Sequence, residues 1–284
     1  MPGGHARREA RLKEIRVRKT LAALLLLLSL GAGRAEKFDQ ETREFASKNN
    51  NFRLAAGYSG RGGDGRARLE LSGPAGKKIS VFVAERPPFS VTISNDGRRL
   101  FSLCGSWSQM VSIYMLDVYA ASGTLLASHQ VEMQGPAGED FSGDNSVYAL
   151  GADHGESWSI LVLNTEKGAL LWRKEFKERL AGVKLSGSGE KLLAVFAPGA
   201  GKHRAAVFDK SGKEIWSRLI ATDNNLSPRA FTGDGSGFEL WEDRMVYDEK
   251  DGFWHGKVLR KRVYRFTPKG AEEVSSKEFN EDLK

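Results

Sequence analysis

The sequence predicts an all-β chain folded as a β-propeller of four complete four-stranded blades plus a partial fifth. Three observations carry that prediction. One turn motif recurs four times at a near-constant step, and a glycine recurs out of phase with it at the same period. The segments between these marks are short alternating or apolar runs. Self-similarity at a period of about 40–50 residues is the signature of stacked repeats, and four short strands per repeat is its propeller form.

The turn motif reads ISNDGRRL at 93–100, FSGDNSVY at 141–148, LSGSGEKL at 185–192 and FTGDGSGF at 231–238, and the steps between Ser94, Ser142, Ser186 and Thr232 are 48, 44 and 46 residues. Each position has a physical role. The Ser or Thr and the Asp two residues on (Asp96, Asp144, Asp234) can bond backbone amides within a tight turn, and the Gly or Asn that follows accepts positive φ. The flanking apolar residues end one strand and begin the next. Because the Asp recurs at one repeat position, it reads as a turn former and not as part of a single active site. The second mark comprises Gly76, Gly123, Gly168, Gly212 and Gly270, the first four of which precede the next Ser or Thr by 18 to 20 residues.

Taken in chain order, residues 36–51 form an N-terminal segment in which 38–47 is expected to be a short helix or irregular. The propeller domain spans 52–279. Strands at 66–71 and 78–83, with a third at 52–58, make the partial blade; complete blades follow at 89–130, 139–177, 181–221 and 228–279, and 280–284 is a tail. From the turn Ser or Thr to the next Gly mark, the last blade has 38 residues against 29, 26 and 26 in the others. That excess, around 242–260, reads as a long hairpin with its tip near Asp251 and Gly252. A β-sandwich or an open array of blades is the alternative arrangement, and the ring's closure is not fixed by the sequence.

Charge narrows the function. The formal charge is +7, but residues 1–35 hold eight Lys or Arg and two Glu, whereas 36–284 hold 35 basic and 34 acidic residues. A near-neutral body excludes a nucleic-acid binder, which needs a basic field over one face. The basic start, the short apolar run from Leu21 and the small residues Gly33 and Ala35 make residues 1–35 a secretory signal peptide, cut before Glu36. An uncleaved signal anchor is the rival reading. The run is shorter than the roughly 20 residues a membrane span needs, so no stable span is expected after processing. The expected location is the periplasm or the outside of the cell.

The strings GALLW at 168–172 and GKEIW at 212–216 resemble the outer strand of PQQ-like propeller repeats, and SNDGRRL at 94–100 resembles the turn of TolB-type and WD40-like propellers. The resemblance covers about residues 66–279 and implies architecture, since such repeats serve enzymes, scaffolds and receptors alike. It departs from quinoprotein dehydrogenases: the chain is short, it lacks their adjacent cysteines, and the Trp stands in two blades. It therefore implies the non-quinoprotein exported type, with no cofactor.

The sequence singles out no catalytic residue and no metal ligand set. GRGGDG at 60–65 matches a dinucleotide fingerprint, but a strand-like run follows where that motif needs a helix. Cys104 sits in an apolar run and reads as a buried small hydrophobe. Trp172 and Trp216 read as packing between blades. Residues 257–265 carry Lys257, Arg260, Lys261, Arg262 and Arg265, which read as a solvated hairpin edge or as a site for an anionic partner. In a four-stranded meander the first and third turns share one face of the ring, and the second turns and the links between blades share the other. The longer, variable connections all fall on this second, loop face, which is where binding residues concentrate. Trp107, Trp158, Trp254, His154, His203 and His255 lie there and are the candidate binding residues. The function read from this pattern is a non-enzymatic binding or scaffold protein engaging a protein or cell-envelope partner through the loop face. A carbohydrate-active enzyme with its site at the channel mouth is the alternative.

Overall fold

The computed structural model describes residues 42–59, 65–105, 112–199, 201–248 and 253–282. Their strands form five antiparallel sheets, each built from four strands consecutive in sequence. The first blade holds β1 (Thr42–Ala46), β2 (Arg53–Tyr58), β3 (Ala67–Ser72) and β4 (Lys78–Ala84). The second holds β5 (Pro88–Ile93), β6 (Arg99–Gly105), β7 (Ser112–Ala120) and β8 (Leu125–Met133). The third holds β9 (Gly135–Phe141), β10 (Val147–Asp153), β11 (Trp158–Asn164) and β12 (Leu170–Phe176). The fourth holds β13 (Arg179–Leu185), β14 (Lys191–Gly199), β15 (Lys202–Asp209) and β16 (Glu214–Ala221). The fifth holds β17 (Asn225–Phe231), β18 (Gly237–Asp248), β19 (Phe253–Thr267) and β20 (Gly270–Asp282).

Two expectations are corrected. The segment 38–47 is not helical where it is described: β1 pairs with β2 from Thr42↔Gly57 to Ala46↔Arg53. Phe45 packs against the first core, and Thr42 and Phe45 suit a pleated half-buried strand. The blade read as partial therefore has four strands. Its first turn, SKNNNF at 47–52, is a fifth copy of the motif: Ser47 N–H bonds Phe52 O at 2.9 Å, Ser47 Oγ bonds Asn49 Oδ1 at 2.7 Å, and Asn50 takes φ 56°. The other copies have the expected geometry. Ser94, Ser142 and Thr232 each donate to the Asp two residues on at 2.6–2.7 Å, and the left-handed position falls on Gly97, Asn145, Gly189 or Gly235.

Successive blades stack face to face, and four apolar cores fill the spaces between them. Leu54, Leu69 and Leu71 meet Ile93 and Leu100 between the first and second blades. Phe101, Leu116 and Val118 meet Tyr148 and Leu163 between the second and third. Val147, Ile160 and Val162 meet Leu192 and Phe196 between the third and fourth. Leu193, Val195 and Val207 meet Phe238, Leu240 and Tyr264 between the fourth and fifth. Trp172 and Trp216 belong to the last two of these cores, as expected for blade packing. A Cβ on Gly212 would lie 2.9 Å from Trp172 and one on Gly270 2.8 Å from Trp216, so each glycine at a third turn lets the ring of the preceding blade close in.

No such core joins the fifth blade to the first among the described residues. Gly76, the first blade's equivalent of Gly212, has nothing within 4 Å of its Cβ position. Ile79, Val81 and Val83 of β4 are 44%, 40% and 45% exposed on the face turned away from the second blade. The seam is also unpatterned in the sequence. Seven residues after the turn Ser or Thr stand Leu54, Phe101, Ala149 and Leu193 in the first four blades, all buried, and Glu239 in the fifth. Near the axis, Asp140 of β9 is buried and receives the Leu185 N–H at 2.9 Å; Lys184 of β13 lies 3.5 Å away, and Lys48, beyond β1, is ion-paired with it. One carboxylate thus ties three blades together. Burial lowers the Lys184 pKa; Asp140 opposes that shift and Lys48 adds to it.

Candidate functional site

The meander order places the first and third turns of every blade on one face and the second turns and inter-blade links on the other. The turn face is regular, and its turns are bonded to one another, although the buried Asn95 Oδ1 has no partner. Asn49 Nδ2 donates to Asn95 O at 2.8 Å, Asn95 N–H to Asn145 Oδ1 at 3.0 Å and Asp144 N–H to Gly187 O at 2.9 Å, which links four blades turn to turn. Hydrogen bonds favour the ionised form of Asp234 and Asp144. Those from Ser236 N–H, Thr232 and the Ser236 hydroxyl keep Asp234 at about 2. At Asp144, partial burial works the other way, but donors from Ser142 and Ser146 still leave its pKa below the usual range.

The loop face carries a cleft of about 810 Å³ between the third, fourth and fifth blades. The link between β8 and β9 (Gln134 to Gly138), the starts of β13 and β17, and the ends of β10 and β14 line it. Trp158, at the start of β11, forms an aromatic wall and also packs against the third core, so it is anchored as well as presented. His203, near the start of β15, lines the cleft with its Nδ1 buried and without a hydrogen-bond partner. A buried polar atom without a partner costs about 1–3 kcal/mol.

The cleft's two carboxylates are occupied by their own surroundings. Asp153 accepts the Gly155 N–H at 2.7 Å, and Asp243 accepts Ser227 Oγ at 3.2 Å and Asn225 Nδ2 at 3.5 Å. Arg179 adds one cation to the rim.

Of the expected binding residues, Trp158 and His203 come together in this cleft. His154 sits in the turn between β10 and β11, with Nε2 2.8 Å from Ser159 Oγ, and does not line it. His255 lies on β19, within the long hairpin, away from the cleft lining. Trp107 lies outside the described residues, as do 60–64 with the GRGGDG string and the hairpin tip at 249–252; the side chain of Trp254 also lies outside them. The hairpin itself is present, with β18 and β19 paired from Gly237↔Arg265 to Asp248↔Phe253. Sequence reasoning missed Asn225, Ser227 and Asp243. Their only signal is that they flank the link to the longest blade.

Cys104 is buried, and burial pushes its thiol up to about 12, so it is a packing residue with no nucleophilic character. Among the described residues no three His, Cys, Asp or Glu side chains gather as a metal site. No helix there is long and apolar enough to cross a membrane.

No family model and no curated protein matches the chain. Solved structures do. The β-propeller domain of the Trilobed protease from Pyrococcus furiosus, described as having an open velcro topology, is similar at 10% identity over 86% of both chains, with a TM-score of 0.50. A eukaryotic initiation factor is similar at 12% identity over 86% of this chain and 56% of that one, with a TM-score of 0.52. A putative TolB from Agrobacterium tumefaciens shows 15% identity over 84% of this chain and 81% of that one, with a TM-score of 0.41. The fold is a β-propeller. At these identities the likeness extends to architecture and no further.

Proposed function

We propose that this chain is an exported, non-enzymatic propeller that binds a protein or cell-envelope partner in the loop-face cleft between its third and fifth blades. The observation that carries the reading is the meeting of an anchored aromatic wall, Trp158, with the unpartnered His203 Nδ1 in a cleft of about 810 Å³. Anchored aromatics in partly desolvated pockets are the residues that dominate interfaces. The short apolar segment and small-residue cleavage site before Glu36 support export. Nothing in the cleft favours carbohydrate hydrolysis, since Asp153 and Asp243 are both held by neighbouring groups.

The test has two arms. N-terminal sequencing of the secreted form is expected to start at Glu36; a chain that begins at Met1 and stays in the membrane refutes export. A photo-crosslinking residue placed at Ser227 is expected to capture one defined partner in the native host, and Trp158→Ala or His203→Ala to abolish that product. Unchanged crosslinking in both variants refutes the cleft.

A further inference from the structure

The basic run 257–265 does not form one patch. Alternation along β19 divides it between two faces. Arg262 turns toward the fourth blade and pairs with Glu242 and Glu273, and Arg260 pairs with Glu278 at 2.7 Å. Lys261 and Arg265 fall on the opposite face, the one no other blade covers among the described residues. There Arg229 of β17 lies 4.2 Å from the Trp241 ring centre, with Lys261 4.7 Å from the same ring. Lys261 also lies 4.1 Å from the Phe279 ring, and Lys277 5.0 Å. Cation and ring alternate across all four strands of the blade, a width of about 14 Å at strand spacing.

Position for position, this surface replaces an apolar one. Nine residues after the turn Ser or Thr, where the first four blades bury Ala56, Leu103, Gly151 or Val195, the fifth places Trp241; where they bury Leu54, Phe101, Ala149 or Leu193, it places Glu239. A sixth blade, or the same face of a second copy, would have to desolvate these charges to pack here. Two of the cations, Arg229 and Lys277, are exposed and form no ion pair among the described residues. Four cations here (Arg229, Lys261, Arg265, Lys277) face two carboxylates, Glu239 and Glu272, and Glu239 already accepts Trp241 Nε1 at 3.4 Å.

We infer that the uncovered face of the fifth blade is a docking surface for an acidic segment of a partner protein, read by the Arg229–Trp241–Lys261–Phe279–Lys277 ladder. The rings do not offer themselves to a base or a sugar, because cations lie over their faces; stacking platforms need a bare face. They do not reach outward as membrane wedges either, since both are half-buried between the cations. What they do is hold the ammonium and guanidinium groups in place by cation–π contact, so that less side-chain entropy is lost when carboxylates bind. This surface is separate from the loop-face cleft and independent of it.

The test uses the mature chain and a fluorescein-labelled oligoglutamate peptide, followed by anisotropy. Saturable binding that weakens steeply with salt is expected. The double reversal Arg229→Glu with Lys277→Glu leaves both rings in place and is expected to reduce affinity at least tenfold with an unchanged melting temperature. Lys213→Glu on the turn face is expected to have no effect. An oligoglutamine peptide that binds equally well, or binding that survives the double reversal, overturns the proposal. So does capture of phosphatidylglycerol vesicles without capture of the peptide, which would make the face a lipid site.

Discussion

Arg86→Met is expected to destabilise the protein by about 2–3 kcal/mol. Arg86 lies in the link between the first and second blades. Its Nη2 and Nε donate to the two oxygens of Asp117 at 2.6 and 3.1 Å, and Nη2 reaches Ser128 Oγ at 2.9 Å. The Asp117 side chain is 1% exposed and that of Arg86 42%. Removing one partner of a fully buried pair costs about 3–5 kcal/mol, mostly because a charge is left uncompensated. Arg86 is too exposed for the full figure, and water would partly replace it. Ser128 Oγ, which donates to Asp117 at 2.6 Å, would retain part of the compensation. If an orphaned charge is the cause, Arg86→Met with Asp117→Asn must cost less than the two single changes summed, by at least about 1 kcal/mol of coupling. Urea unfolding followed by tryptophan fluorescence measures all three variants, with equal m-values as the check that the denatured state is unchanged. A loss under about 0.5 kcal/mol for Arg86→Met, or strict additivity in the cycle, would refute the reasoning.

Further predictions follow from other residues. Asp144→Ala should cost about 1 kcal/mol, as for a lost turn hydrogen bond, and leave partner crosslinking unchanged, because Asp144 serves its own turn; loss of crosslinking at an unchanged melting temperature would contradict this. Cys104 should resist a thiol reagent in the native state at pH 8 and react only on unfolding, since burial holds it at about 12; rapid native labelling would count against it. Tyr264 is raised by burial and by Glu273 to about 12, so its protonated form stabilises the fold. That stability is fully present below the unfolded tyrosine pKa of about 10 and is lost as pH rises toward 12, and Tyr264→Phe should flatten the alkaline fall of the melting temperature. Gly212→Ala should be strongly destabilising, as φ is 81° and the added methyl meets Trp172; a melting temperature within a degree or so of the parent would refute the close approach.

The scaffold was legible wherever a repeat position carries one physical role. Turn serines and their Asp partners, the third-turn glycines and the two inter-blade Trp can be read because each has the same role in every blade that carries it. The first blade was under-read because Asn49 and Asn50 stand where other turns carry Asp and Gly, although Ser47 precedes Ser94 by 47 residues, within the range of the other steps. Asn can fill both roles, as acceptor and as a residue tolerant of positive φ, so the disguise is chemical and not structural. The cleft was half legible. Trp158 and His203 stand out as unusual residues in variable loops, whereas Asn225, Ser227 and Asp243 are ordinary polar residues whose meeting depends on how three blades are tilted about the axis. The division of the basic run between two faces needs strand phase, and a bulge between Val258 and Arg260 interrupts that phase.

The missing core between the fifth blade and the first also bears on how the chain is assembled. Every sheet is completed by strands adjacent in sequence, and each core needs only the next blade along. The apolar cores thus couple nearest neighbours only, as in a line bent into an arc, and the Lys48–Asp140 ion pair adds a polar link from the first blade to the third. The second, third and fourth blades have packed partners on both sides; the first and last have one each and should open first, in amide exchange before they do so in global melting. During synthesis the early blades have no need of the C-terminal strands to become stable. A propeller that completes one sheet with strands from both ends of its chain has to wait until the last residue has been made.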